Sequence, residues 1–356
     1  MQYSDYLSYI TSTITNYPIR VKRYLKKTLT IANVVWDNIQ TKIDGSEFSD
    51  MSSTELDEQL ISCIIKDPKA VTAFEEWEFT KDYKYSSIFY VDKFEELLES
   101  VRQIREHDKD KAENNLNNVL QDPVRYESSD MSIIKFNLKF EAVHPLTEEE
   151  LLLKYPIIVV LNKKYKFIEL RFDTLKRVFV MDKDQTFYAD IIKNIRDYIK
   201  QEFKATLNPL DLSFVIDKAK KQEKIKLIAQ YMKLPNGGSA QLEVGDNDEY
   251  VLPLIGELKS LMVEHQGELD KSPIIKEALE QFVFEKEEMS DYPWIEVLWE
   301  HEIKTRSIHV KFIFNYMNKG YCLLQHYYNS VLNGMERMNR VIDFIGENQS
   351  DDSTPV

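Results

Sequence analysis

The sequence predicts an α+β protein, with a mostly helical region over residues 1–125 and an antiparallel sheet with helices over residues 126–346. Apolar residues recur at three- and four-residue spacing through most of the first third of the chain, which is the helical period. From Met131 the period becomes two, and it returns to two after residue 290. Of 356 residues, 43% are apolar and 12% aromatic, enough core for two domains and too much for wholesale disorder.

The elements follow in order. Residues 5–43 read as helical, because Val21, Leu25, Thr28, Leu29, Ala32 and Val35 form one stripe. Pro18 sits near the start of that stripe, where a missing N–H costs little. Ser53, Glu55 and Leu56 open a second helix striped by Leu60, Cys63 and Ile64, which Pro68 interrupts or ends. A third helix is expected from Phe94 through Val101 and Ile104, with HDKDKAENN as its solvated continuation. In SIIKFNLKFEAV, Ile134, Phe136, Leu138 and Phe140 alternate with Lys135, Asn137, Lys139 and Glu141, the pattern of a half-buried strand. Two strands joined at Asn162, Lys163 and Lys164 follow, then a helix over FYADIIKNIRDYIKQEF. The Asn236-Gly237 pair marks a tight turn. LPLIGELKSLMVEH and SPIIKEALEQFVFEKEE read as helices. WIEVLWEHEIK, SIHVKFIFNYM and YCLLQHYY read as an antiparallel meander, followed by a helix over 329–345 and a disordered tail over 347–356. Residues 157–203 and 294–345 share the order strands then helix, a weak sign of internal duplication.

Composition narrows the function classes. Cys63 and Cys322 make neither a disulfide framework nor a four-cysteine zinc site, and an apolar neighbourhood points to inert buried thiols in a reducing compartment. The opening MQYSDYLSYI has no basic run followed by an apolar one, so no signal peptide is expected. No apolar run approaches the length of a membrane span. No P-loop, G-x-G-x-x-G or H-E-x-x-H spacing occurs, so no cofactor or metal is expected. A richness in Lys, Asn, Ile and Tyr fits an AT-rich microbial genome.

Charge is the most informative feature. The net formal charge is -14, yet it is segmented. Residues 1–43 carry +4, 44–155 carry -13, 156–235 carry +7 and 236–356 carry -12. Lys and Arg on a continuous surface are what a polyanion requires. Two blocks supply them. PIRVKRYLKKTL carries Arg20, Arg23 and Lys27 on a face away from the apolar stripe, with Lys22 and Lys26 on its flank. The middle block supplies Lys163, Lys164, Lys166, Lys176, Arg177, Lys218, Lys220, Lys221 and Lys224. The plainer alternative is that the protein's own carboxylates neutralise these groups. Trp77, Trp294, Trp299, Tyr327 and Tyr328 stand among charges, either as interface anchors or as partly buried core.

A catalytic alternative rests on SDYPWIEVLWEHEIKT. There Asp291, Glu302 and Lys304 could hold a divalent cation and an attacking water, as in a metal-dependent nuclease. Strand alternation would place Glu300, Glu302 and Lys304 on one face. A solvated strand face with cross-strand ion pairs explains the same residues. His301, His309 and Glu302 could meet as metal ligands only if a hairpin register brought them together. The sequence therefore points to a non-enzymatic cytoplasmic binding or scaffold subunit, in a microbial accessory or defence system. It would dock nucleic acid or an acidic partner on blocks 18–27 and 156–235, or associate with itself, and would have no membrane partner.

Overall fold

The structure is a computed structural model that describes residues 1–32, 34–36, 49–50, 55–180, 186–221, 225–234, 237–243, 255–287, 290–301, 303, 306–327 and 334–349. The chain divides into two compact units, Met1–Asn208 with Asn333–Gly346, and Pro209–Leu332 with Glu347–Val356.

The first unit opens with α1 (Tyr3–Asn16) and α2 (Ile19–Ile31), followed by two short parallel strands, β1 (Val35–Trp36) and β2 (Ser49–Asp50). The expected single helix is broken because Pro18 holds Tyr17 in an extended conformation and cannot donate to the preceding turn. Next come α3 (Leu56–Lys66) and α4 (Pro68–Thr80). Pro68 both ends one helix and starts the next, and the Asp67 carboxylate caps α4 by accepting from Lys69 N at 2.8 Å. Ser53 lies outside the described residues. The remaining elements are β3 (Tyr85–Tyr90), α5 (Phe94–Val101), β4 (Val124–Glu127), β5 (Met131–Val143), β6 (Glu150–Asn162), β7 (Phe167–Phe172) and α6 (Phe187–Glu202). Five strands run antiparallel in the order β4-β5-β6-β7-β3.

Both faces of these strands are covered, which corrects the half-buried reading of β5. Phe136 meets Tyr198 of α6 and Phe140 meets Phe187, both edge to face. On the opposite face Lys135 and Asn137 are buried towards α4. A second departure concerns residues 102–120, expected to continue a helix. The helix stops at Val101, and the chain beyond it bonds to strands instead: His107 N donates to Arg125 O at 2.7 Å, Asn117 N to Asn137 O at 3.0 Å, and Lys139 N to Asn117 O at 2.9 Å. HDKDKAENN is therefore not a solvated helix, and His107 and Glu113 are buried. Tertiary bonding has overridden helix propensity.

The boundary between the two units falls at 208/209. The N-terminal helices belong with the sheet because α1 bonds to β6 directly. Ser12 Oγ donates to Leu152 O at 2.6 Å, and Lys154 N donates to Thr13 Oγ1 at 2.8 Å. Tyr6, Ile10, Ile14, Leu25, Leu29, Leu60, Cys63, Phe74 and Trp77 fill the core that the first four helices share. Trp77 is thus core and not an interface anchor.

After the short strand β8 (Asn208–Pro209), the second unit holds α7 (Phe214–Lys220), β9 (Lys226–Lys233), β10 (Ser239–Glu243), α8 (Ile255–Glu264), α9 (Gln266–Leu269) and α10 (Pro273–Glu287). It continues with β11 (Asp291–Trp299), β12 (Ile308–Ile313) and β13 (Leu323–His326). Its strands run antiparallel in the order β10-β9-β11-β12-β13, of which β11-β12-β13 is the expected meander. The β9–β10 hairpin closes through Leu234 N to Gly238 O at 2.7 Å; Asn236 lies outside the described residues. The last helix is α11 (Glu336–Gln349), so 347–349 is helical where a disordered tail was expected. Residues 333–346 belong to the first unit and β11–β13 to the second, so the strands-then-helix order of 294–345 is not one structural repeat.

Gly346 of α11 lies on the Tyr165 ring, and a Cβ there would overlap the ring carbons. Gly346→Ala is expected to lower stability by about 1–3 kcal/mol through overpacking, measured by denaturant unfolding. A substitution that stabilises, as helix propensity alone dictates, would contradict this packing.

Candidate functional site

The basic residues singled out in the sequence fall into two groups. Several are already neutralised. Lys22 is buried on α2, with its ammonium 2.6 Å from Asp57 and 2.9 Å from Thr15 O, so it leaves the solvent-facing set. Lys163 bonds Glu127 at 2.5 Å, Lys166 lies 3.2 Å from Glu95, and Lys164 lies 3.8 Å from Asp343. Arg23 and Lys27 of α2 are exposed, with Arg20 and Lys26 half-buried beside them. Lys176 and Arg177 are also exposed, and Lys176 Nζ donates to Asn16 Oδ1 at 2.7 Å. That bond places a pair from the middle block at the residue preceding the Tyr17–Pro18 break, beside the start of α2. In the second unit, Lys220 lies 4.6 Å from the Tyr292 ring centre, Lys221 is exposed and Lys218 is half-buried. Lys224 lies outside the described residues.

Of the catalytic alternative, Asp291 is exposed at the first position of β11, opposite Lys233. Glu302 and Lys304 lie outside the described residues. Glu300 pairs with Lys226 at 3.0 Å. His301 Nδ1 accepts from Ile303 N, whereas His309 Nε2 is 2.9 Å from Glu296 Oε2. Glu296 also accepts from Lys311 at 3.1 Å and from the Tyr327 hydroxyl at 3.2 Å, while His309 stacks on Tyr327 at 4.0 Å. Cross-strand ion pairing is thus what β11 and β12 display here. The His309 hydrogen bond, helped by Lys311 and opposed by burial, holds the Glu296 carboxyl down to about 2. Burial pushes the Cys63 thiol up to about 12 and raises Cys322 as well, which leaves both as thiols rather than thiolates near neutrality.

The densest chemistry lies where sequence reading did not place it, between α4 and the inward polar face of β5 and β6. Glu78 Oε2 accepts from Lys135 at 3.0 Å and, in a shorter bond, from Lys154. All three side chains are fully buried. Lys135 also reaches Glu75 O at 2.8 Å and lies 3.0 Å from Glu113 Oε1. Glu113 is 3.1 Å from His107 Nδ1 and accepts from Asn137 Nδ2 at 2.6 Å. Glu75 accepts from the Tyr6 hydroxyl at 2.5 Å and from Glu113 N at 3.0 Å.

The titrations divide along this network. Burial and the charge of Glu113 push Glu75 up to about 7, against the pull of Lys135 and Lys154. Burial would raise Glu113 too, but Lys135, the His107 hydrogen bond and Lys154 hold it well below the usual carboxylate range. Burial opposes the charge on Lys135, yet Glu113, Glu78 and Glu75 raise its affinity for the proton. Lys154 is lowered by burial despite Glu78, with Lys135 adding repulsion. Among the described residues, ligand atoms of Glu75, His107 and Glu113 lie within 4.8 Å of one another, the spacing of groups that could hold a metal ion.

A sequence signal for this layer did exist. Glu75 and Glu78 stand three apart on α4 between Phe74, Trp77 and Phe79, with no wholly polar face to receive them. His107 and Glu113 gave none, because their segment has the composition of a solvated loop.

No model of a known protein family matches the chain, and no curated protein matches it significantly. Among the described residues no helix is long and apolar enough to cross a membrane.

Two outcomes test these electrostatics. Glu78→Gln is expected to cost about 3–5 kcal/mol in denaturant unfolding, because two ammonium groups lose their shared partner. Lys154→Met should cost less, since Glu78 keeps Lys135. In the second unit, the depressed Glu296 contributes stability that is present above its ordinary value near 4.5 and is lost as pH falls towards 2. The advantage of wild type over Glu296→Gln in thermal unfolding should therefore shrink across that window; an advantage that persists unchanged at pH 2 would contradict it.

Proposed function

We propose that this chain is a non-catalytic binding subunit of a larger assembly, and that its first unit docks an acidic partner protein on the basic face of α2 extended by Lys176 and Arg177. The observation that carries this reading is the Lys176 to Asn16 bond at 2.7 Å, which brings a lysine of the middle block to the last residue of α1, just before the basic segment that begins at Pro18. Arg23, Lys27, Lys176 and Arg177 are exposed, whereas Lys22, Lys163 and Lys166 face carboxylates of the chain itself. A few exposed cations suit a short acidic segment better than an extended nucleic acid, which the net charge of -14 repels.

A protein partner is also favoured by the second unit. There an open groove of about 510 Å³ runs along α8, α9 and α10, lined by Met262, Val263, Leu269, Val283 and Phe284. Of this lining Val263 is 74% and Phe284 52% exposed, and grouped apolar exposure of this kind marks protein interfaces.

Fluorescence anisotropy with a labelled oligoglutamate peptide tests the docking reading, with single-stranded and duplex oligonucleotides measured alongside. Oligoglutamate should bind at low salt and weaken as salt rises. Reversing three charges, Arg23→Glu with Lys27→Glu and Lys176→Glu, should weaken it by tenfold or more, on the order of 1.4 kcal/mol. Lys166→Gln should leave binding unchanged, because that ammonium already faces Glu95. Equal binding by the triple variant, or binding of oligonucleotides in preference to the peptide, would overturn the proposal.

A further inference from the structure

We propose that Glu75, His107 and Glu113 form a buried site for a divalent cation of the zinc class, which ties the irregular segment 102–123 to α4. Two carboxylates and one imidazole are a donor set that first-row divalent ions of intermediate softness accept. The three groups come from α4 and from two places in the irregular segment, and their ligand atoms already lie within 4.8 Å of one another. The side chains of His107 and Glu113 are each only 1% exposed.

One observation independent of that spacing points to a ligand, the presence of unsatisfied polar atoms. Glu78 Oε1, Asn137 Oδ1 and His107 Nε2 are buried without a hydrogen-bond partner among the described residues. Asn137 belongs to the group because its amide nitrogen donates to Glu113, and Glu78 belongs to it through Lys135, which also lies against Glu113. Buried polar atoms almost always have a partner.

The lysines do not preclude the ion. Lys135 is held by Glu78 Oε2 and Glu75 O and also lies 3.0 Å from Glu113 Oε1, which His107 faces as well, so the free lone pair of Glu113 is on Oε2, which accepts from Asn137. Glu75 Oε2 accepts only a share of the Glu113 N–H, at 3.1 Å, and so retains capacity for a ligand bond. Segment 102–123 contains no helix or long strand, and a metal tie is a recognised way to hold such a segment in a compact unit.

The test uses the full chain, stripped with a chelator and titrated with Co²⁺, whose visible absorption reports ligation directly. One Co²⁺ per chain should bind with a visible band that one equivalent of Zn²⁺ abolishes. His107→Gln should weaken Co²⁺ binding by at least tenfold, while His309→Gln, in the second unit, should leave it unchanged. If His107→Gln does not fold, X-ray absorption of the Zn²⁺-loaded wild-type chain decides. One imidazole with carboxylate oxygens around the ion supports the site, and a shell without imidazole overturns it. Absence of a Co²⁺ band at about 1 mM metal, or loss of binding in His309→Gln with binding kept in His107→Gln, also overturns it. The site is independent of the basic face of α2, and neither result bears on the oligoglutamate experiment.

Discussion

Much of the first unit depends on one carboxylate. Glu78 stands between Lys135 and Lys154, and the three side chains lie fully inside the protein. An ion removed from water is tolerated only when its partners are close and its hydrogen bonds are made. This requirement fixes several elements together. α4 must present Glu75 and Glu78 to the sheet, β5 and β6 must put Lys135 and Lys154 on one face, and the segment after α5 must deliver Glu113. The register sets Lys139 opposite Lys154 and Lys135 opposite Ile158, so the two buried lysines stand four positions apart and meet at Glu78 through the length of their side chains. The other face of the same strands is aromatic and aliphatic against α6. One sheet thus carries two unlike interiors, an apolar one that tolerates repacking and a charged one that does not.

The second unit handles charge differently. Glu296, His309, Lys311 and Tyr327 form a cross-strand group on β11, β12 and the end of β13, only partly covered from solvent. There the ions keep much of their hydration and the carboxylate stays readily ionised. The same residue types therefore serve a surface pairing in one unit and a buried framework in the other, and the difference is one of burial rather than chemistry.

The fold was legible wherever one period persisted. The alternation in β5, the β6 to β7 turn at Lys163, the helix α6 and the three-strand meander all follow from spacing. The reading stopped at places where distant residues decide local conformation. HDKDKAENN is polar enough for a solvated helix, and only partners on α4 and β5 pull Glu113 inward. Lys135 and Asn137 alternate as solvent-facing residues do, and only a helix carrying glutamates makes that face internal. A basic helix face was likewise visible in α2, but the inward turn of Lys22 towards Asp57 depends on where α3 packs.

Segment 102–123 also has a role beyond carrying two members of the charged layer. β4 pairs with β5 only as far as Lys135, so the backbone groups of Asn137 and Lys139 on that side are left for another partner. Asn117 takes both, accepting from Lys139 N and donating to Asn137 O. An uncovered stretch of strand edge is a template on which a second chain can add. The residues that draw this segment inward therefore also shield an edge from intermolecular pairing. Loss of the buried anchors at His107 and Glu113 would be felt as a tendency to self-aggregate as well as a loss of folding free energy.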